Sequence, residues 1–252
     1  MPVRRKEWFD DDSFWSDLYP LMFPESRIAA AAGEMRDLLK LVKPRGKTVL
    51  DLCCGPGRCS VALSRRGCQV TGVDRTRFLL RKARARAKAA RARVEWVTSD
   101  MRDFTRPETF DLALSMFTSF GYFDDKNDDR LVLRNVLASL RPGGAFVIET
   151  MGKERLAKIF LPTTSERLPG GAILIQRHEI IDSWTRIRNE WILIREGRAK
   201  TWRFHHTIYS GQELQDRMEA AGFADVRLYG SLTGEEYGPN STRLVAVGRK
   251  AR

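Results

Sequence analysis

Apolar positions along this chain fall into two spacings. Short apolar runs at 47–53 (KTVLDLC), 68–73, 94–98, 110–116 and 145–150 have the length and β-branched content of buried strands. Stretches of helical periodicity lie between and before them. Residues 13–41 are expected to be helical, broken near Pro20 and Pro24, with Ser26 capping a helix through Ala29, Met35, Leu38 and Leu39. A helix follows from Arg58 to Arg66, stopped by Gly67, and another covers the basic stretch after residue 74. Over 126–141, Leu131, Val132, Val136, Leu137 and Leu140 share one face, and Arg141-Pro142-Gly143-Gly144 is expected to end that helix. Strands alternating with helices predict an α/β fold, a Rossmann-like doubly wound sheet that is mostly parallel.

The rhythm changes at 172–209, where AILIQRHEIID, TRIRNEWILI and TWRFHHTIY read as a three-stranded antiparallel insert with turns near Asp182-Ser183 and Glu196-Gly197. Ser210-Gly211-Gln212-Glu213 is a capping box opening a helix that ends at Gly222. The segments 225–231 and 243–249 complete the sheet, the final strand antiparallel. The expected organisation is therefore an N-terminal helical cover at 1–45, a Rossmann-like domain at 46–151 and 209–252, and an insert or lid at 152–208.

Charge and cysteine content narrow the picture. The 252 residues carry a formal net charge of +12, which first points to nucleic acid. Nine basic residues and no acidic one lie between Arg75 and Arg93, so the rest of the chain carries only +3. Interleaved alanines favour a solvated helix face over a phosphate-binding surface. Cys53, Cys54, Cys59 and Cys68 crowd one short stretch, a spacing that suits neither a disulfide framework nor a zinc site, so reduced thiols and no metal are expected. No apolar run reaches the roughly 18 residues that span a bilayer, and no signal-peptide core is present, which makes a cytoplasmic location the expectation.

The chemistry-bearing residues all fall at predicted strand ends. The first apolar run delivers Asp51 and Cys53 to a turn, Gly55-Pro56-Gly57, whose glycines allow close approach of a ligand to the backbone. A dinucleotide fingerprint needs a third glycine where this chain has Ser60, which disfavours a nicotinamide dehydrogenase. The next strand ends in Asp74, followed by Arg75; a carboxylate there suits a ribose diol. The third ends before Asp100-Met101, a hydrogen-bond acceptor beside a side chain that packs on flat rings. The fourth ends at Ser115-Met116-Phe117, with Thr118 to Phe123 following. In an open parallel sheet one crevice collects such ends.

Taken together, these residues resemble the class I S-adenosylmethionine-dependent methyltransferases, over nearly the whole chain. The resemblance implies S-adenosylmethionine as cofactor, with Cys53, Gly55 and Gly57 at its methionine part, Asp74 on the ribose, and Asp100 and Met101 at the adenine. It places Met116 beside the cofactor, Asp51 and Arg75 in the same set, and Tyr19 and Arg27 over the amino-acid end. Neither an Asn-Pro-Pro-Tyr segment nor a Pro-Cys pair follows the fourth strand; residues 116–122 instead resemble the small-molecule branch. The implied reaction is methyl transfer by in-line displacement to nitrogen or oxygen of a small-molecule acceptor, which the insert helps to enclose.

Tyr122 is then the residue to orient the acceptor or take its proton. Strand alternation puts Trp202, Phe204 and His206 on one face and Arg203 and His205 on the other; His206, His205 and Glu149 are the further candidates for a base, ahead of His178. Trp191 and Trp202 read either as stacking surfaces for the acceptor or as a small core beneath the insert. Two alternatives remain open: an RNA methyltransferase gripping phosphates through the basic helix 75–93, and a cofactor-binding protein without catalysis. The sequence leaves the oligomeric state undetermined.

Overall fold

A computed structural model describes residues 7–252. After one 3-10 turn at Trp8–Asp10 come α1 (Asp12–Met22) and α2 (Glu25–Val42), then β1 (Thr48–Leu52), α3 (Arg58–Ser64), β2 (Gln69–Asp74), α4 (Arg77–Ala89) and β3 (Val94–Thr98). Next are β4 (Phe110–Ser115), α5 (Lys126–Ser139), β5 (Leu140–Thr150) and a short α6 (Lys153–Ile159). Four strands follow, β6 (Thr163–Arg167), β7 (Ile173–Ile181), β8 (Arg186–Arg195) and β9 (Arg198–Thr207), then α7 (Gly211–Ala220), β10 (Phe223–Tyr229) and β11 (Leu244–Lys250).

Seven strands form one sheet in the order β10-β11-β5-β4-β1-β2-β3. Its core pairings are parallel, and β11 alone runs antiparallel to its neighbours, β5 and β10. Period-two alternation explains why the strands read as continuous apolar runs. Val49, Leu112, Leu114, Val147 and Val245 pack with Met35, Leu38 and Leu63 on one face. Leu50, Ala113, Phe146, Ile148 and Ala246 pack with Leu79, Val132, Val136 and Met218 on the other. Both faces are covered, as a doubly wound sheet requires.

Four local expectations change. Pro20 lies inside α1, and the break falls at Phe23–Pro24 instead. Pro24, extended at ψ 154°, is the residue before the first turn of α2, while its carbonyl accepts from Arg27 and Ile28; Ser26 is already helical. The Arg141–Gly144 segment belongs to β5 rather than to a helix end. Leu140 is extended and pairs with Phe110, and the register then shifts so that Leu112 faces Ala145, a bulge that absorbs the Pro-Gly-Gly residues. The insert has four strands, not three, because β6 is polar and mostly exposed and gave no apolar signal. The unforeseen α6 buries none of its residues.

The second sheet, β6-β7-β8-β9, is antiparallel throughout. Glu196-Gly197, both at positive φ, make the two-residue turn between β8 and β9 that matches strand twist. Cross-strand register places Ile187, Trp191, Trp202, Phe204 and His206 on one face. That face meets the N-terminal segment, with Phe14 5.9 Å from Trp202 and Trp8 4.6 Å from Phe204, ring centroid to centroid. The insert and the helical cover thus pack on each other above the carboxyl ends of the strands.

Candidate active site

The ends of β1 to β4 open into one cleft with about 840 Å³ of empty space, its mouth included. Asp51, Cys53, Gly55, Asp74, Arg75, Asp100, Met101, Met116 and Tyr122 all line it. Gly57, Tyr19, Arg27, Glu149, His205 and His206 do not.

The glycine turn divides its two jobs. Gly55 has φ +54°, and a side chain there would meet only the Phe23 ring at 3.7 Å, so its free side faces the cleft. Gly57 has φ +76°, and a Cβ would strike Trp96 at 2.6 Å and Ala83 at 3.0 Å. Its role is close packing of α4 against the turn, not ligand contact. Cys53, also at positive φ, points its thiol at Met101 Sδ, 3.5 Å away, which joins the ends of β1 and β3.

Asp74 holds the turn in place. Gly55 N–H donates to its Oδ2 and Thr76 N–H to its Oδ1, each at 2.8 Å. Burial raises its pKa, and the backbone bonds from Thr76 and Gly55 oppose that rise. These two bonds leave about two of the roughly four acceptor positions on the carboxylate for ligand donors. Asp51, buried and 2.5 Å from the Ser60 hydroxyl, is pushed up to about 6, mainly by burial.

Asp100 carries a different load from the one expected of an adenine acceptor. Its Oδ1 accepts from Arg102 N and Nε at 2.8 and 3.0 Å, and its Oδ2 from Arg102 Nη2 and Arg75 Nη1 at 2.8 and 2.9 Å. Burial raises its pKa, but these guanidinium bonds outweigh it and leave the pKa lowered. Arg102 also forks onto Glu7 at 3.1 Å, and Arg75 pairs with Asp10 and lies 4.8 Å from the Phe9 ring. The acidic, aromatic N-terminal segment is thereby clasped across the cleft, and Phe9, Trp15, Met22 and Phe23 form its outer wall.

Arg27 stacks on Phe117 at 4.2 Å and donates to the Met22 carbonyl. Arg58, which does line the cleft, pairs with Glu34. Tyr19 sits against α4, its hydroxyl accepting from Arg86 Nη2 at 3.2 Å. The outer face of α4 exposes Arg77, Arg81, Lys82, Arg84 and Lys88, while Leu79, Leu80, Ala83 and Ala87 are buried.

The far wall of the cleft is the Phe117–Phe123 segment. Phe117 and Thr118 adopt φ +62° and +58°, a costly conformation for residues with a Cβ. Glu149 pins this turn: its Oε2 accepts Phe117 N–H at 2.9 Å and its carbonyl accepts Thr118 N–H at 3.0 Å. The carboxylate is therefore a positioning group behind the wall, which revises its role as a base. Gly121 O accepts from Thr207 N at 2.7 Å, and the nearby buried Asp129, pushed up to about 6 chiefly by burial, accepts from Tyr209.

Of Tyr122, Glu149, His205 and His206, Tyr122 alone lines the cleft. Its ring lies 4.9 Å from Trp8 and 5.9 Å from His206. Burial pushes its phenol further up, so it keeps its proton. Burial pushes His206 down to about 4, so its imidazole is neutral near pH 7. His205 points away, Nε2 2.8 Å from exposed Asp124, and His178 bonds Asn189 at 2.8 Å. Phe9, Trp15, Phe23 and Arg58 were not anticipated at the site; for the first two the run WFDDDSFW was the available signal, and its meaning depends on how the N-terminal segment folds back.

Residues 49–144 match the methyltransferase domain family. The chain is 28% identical over 210 residues to the cypemycin N-terminal methyltransferase of a Streptomyces species, covering 80% of this chain and 82% of the relative. An S-adenosylmethionine-dependent methyltransferase from Clostridium acetobutylicum superposes with TM-score 0.78 at 13% identity, covering 96% of this chain and 99% of that one. The sugar N-methyltransferase KedS8 from a Streptoalloteichus species superposes with TM-score 0.73 at 19% identity, covering 94% and 93%.

Proposed function

As a member of the class I S-adenosylmethionine-dependent methyltransferases, this chain, we propose, methylates the nitrogen of a small-molecule amine. The observation that carries this reading is the gathering of Gly55, Asp74, Met101, Met116 and Tyr122 around one cleft. In it, residues 46–151 and 209–252 hold the cofactor, 7–45 cover it (the first six residues of the expected 1–45 cover lie outside the described residues), and 152–208 help form the acceptor pocket.

Cofactor fit rests on the donor set. Asp74 keeps acceptor positions for ribose hydroxyls, the open side of Gly55 admits the amino-acid end, and Met101 with Leu79 offers apolar surface to a ring. Arg27 does not line the cleft but stacks on Phe117, which does, so it bears on the cofactor's carboxylate only from behind that ring. Asp100 serves the adenine only by sharing its arginine bonds. Bound there, S-adenosylmethionine would supply an electrophilic methyl group to the amine nitrogen, the electron pair of the broken carbon–sulfur bond staying on sulfur and the acceptor's proton passing to solvent.

The protein's own part is orientation. Tyr122, protonated, offers a hydroxyl to an amine at the cleft wall, and the Glu149-pinned turn fixes its position; such placement supplies effective molarities of about 10⁵ M or more in favourable cases. Nitrogen is favoured over oxygen because the site carries no strong base: Tyr122 holds its proton and His206 is a weak base. An alcohol needs a base for its proton, worth roughly 10²–10⁴-fold, whereas a free amine attacks before losing one. That the cypemycin relative is an N-terminal methyltransferase supports the same choice.

The test is calorimetric titration of S-adenosylmethionine into wild type and Asp74→Ala, with S-adenosylhomocysteine formation followed over matched amine and alcohol acceptors. Binding weakened by about 1.5–3 kcal/mol in the variant is expected, together with turnover of amines. Equal affinity in both proteins, or turnover of alcohols alone, overturns the reading.

A further inference from the structure

Glu149 does not hold the Phe117 turn by itself. Val147 and Glu149 share one face of β5, and Val245, paired with Glu149, stands two residues after Arg243, which immediately precedes β11. That face is the one α2 covers with Met35 and Leu38, and Glu34 is the residue before Met35. A carboxylate from α2 and a guanidinium from the start of β11 are thereby brought to the end of β5.

Four charged side chains form a continuous row there. Arg58, the first residue of α3 and part of the cleft wall, donates through Nη1 to Glu34 Oε2. Glu34 Oε1 accepts from Arg243 Nη2 at 2.7 Å, and Arg243 Nη1 lies 3.6 Å from Glu149 Oε1. Glu149 Oε2 then accepts the Phe117 N–H at 2.9 Å, so each oxygen of both glutamates has its own partner. Arg58, Glu34 and Glu149 are mostly buried, and losing a counter-charge there leaves a costly unpaired one. Arg27 stacks on the Phe117 ring but makes no bond to Glu149; among the described residues Arg243 is the cation that touches that carboxylate.

We propose that Arg243 is a positioning residue for methyl transfer: by bridging Glu34 and Glu149 it ties the turn that carries Phe117 and Tyr122 to Arg58 at the start of α3. The inference rests on the methyltransferase reading above and adds a residue that lies outside the cleft lining, so its effect on rate passes through Glu149. Without its charge the Glu149 carboxylate turns from the Phe117 N–H toward water. Phe117 and Thr118, both at positive φ, then lose their hold and Tyr122 moves with them. The grip of Asp74 on Gly55 belongs to β1 and β2 and stays. Arg243 is also the member of the row that can be replaced without opening the core, its side chain being 36% exposed.

The first test needs no acceptor. Amide hydrogen exchange, read by mass spectrometry over 116–123 and over 69–76 as control, compares wild type, Arg243→Met, Arg243→Lys, Glu149→Gln and the double variant Arg243→Met/Glu149→Gln. Arg243→Met should speed exchange over 116–123 by about tenfold and leave 69–76 unchanged. Arg243→Lys keeps the charge but reaches one carboxylate at a time, and should fall between. In the Glu149→Gln background Arg243→Met should add little, because the connection is already cut. The second test follows S-adenosylhomocysteine release with whichever acceptor of the amine and alcohol panel the wild type turns over. There kcat should fall about tenfold in Arg243→Met, with S-adenosylmethionine affinity held within about threefold by calorimetry. Unchanged exchange over 116–123, equal acceleration in both segments, additive losses in the double variant, or affinity falling in step with kcat overturns the proposal. Turnover of alcohols alone overturns the amine reading and leaves Arg243 to be judged by the exchange and rate results.

Discussion

Glu149→Ala is the perturbation whose consequence follows most closely from geometry. The side chain is 7% exposed and its Oε2 takes the Phe117 N–H at 2.9 Å. Phe117 and Thr118 sit at φ +62° and +58°, each costing on the order of 1–3 kcal/mol. A charge-assisted bond of about 1.5–3 kcal/mol offsets roughly one of the two. Without it the turn relaxes toward negative φ, and Tyr122, five residues along, moves with it. Displacements of this size away from the reacting atoms lower kcat/KM by roughly 10–100-fold. Cofactor affinity should change by less than about threefold, because Asp74, Gly55 and Met101 belong to other strands. Glu149→Gln keeps an acceptor oxygen at the same reach and should fall between wild type and alanine. Thr118→Gly in the alanine background removes one strained residue and should recover part of the rate. The assay is S-adenosylhomocysteine release under saturating cofactor, paired with calorimetry. Equal loss in Gln and Ala, or cofactor affinity falling in step with rate, would refute the pinning argument.

Tyr122→Phe should leave cofactor affinity intact and slow turnover by about 10–100-fold, with no limb of the pH–rate profile disappearing, because the phenol keeps its proton; loss of a limb in that variant would make Tyr122 a base. Asp129, raised from 3.8 to about 6 chiefly by burial, contributes stability that is complete at low pH and is lost as pH rises through its folded value. Relative to Asp129→Asn, the wild type should therefore lose roughly 2 kcal/mol between about pH 4 and pH 7. Urea titrations of both proteins at each pH check this, and a difference that does not vary with pH contradicts it.

Much of the fold was legible because both faces of the sheet are covered. Val49-Leu50 and Phe146-Val147 each point one side chain to each core, so the strands stand out as unbroken apolar runs. The polar strand β6 and the exposed α6 have no such signature. The cleft residues Asp51, Cys53, Asp74 and Met101 were readable because they sit where β1, β2 and β3 end, a position set by local sequence. The far wall of the cleft was not. Glu149 acts through the turn behind it, and the pairing of Asp100 with Arg75 and Arg102 depends on where the N-terminal segment docks. His206 was correctly put on the apolar face by alternation, but the cavity it lines, apart from the cleft, exists only because α6 and the insert meet β5.

The most direct measurement is a crystal structure of the protein grown with S-adenosylhomocysteine. The account predicts a ribose hydroxyl within hydrogen-bond reach of the Asp74 carboxylate, the adenine against Met101, and the sulfur facing Tyr122. Density for the ligand at any other place, or with Asp74 out of reach of the ribose, would contradict it.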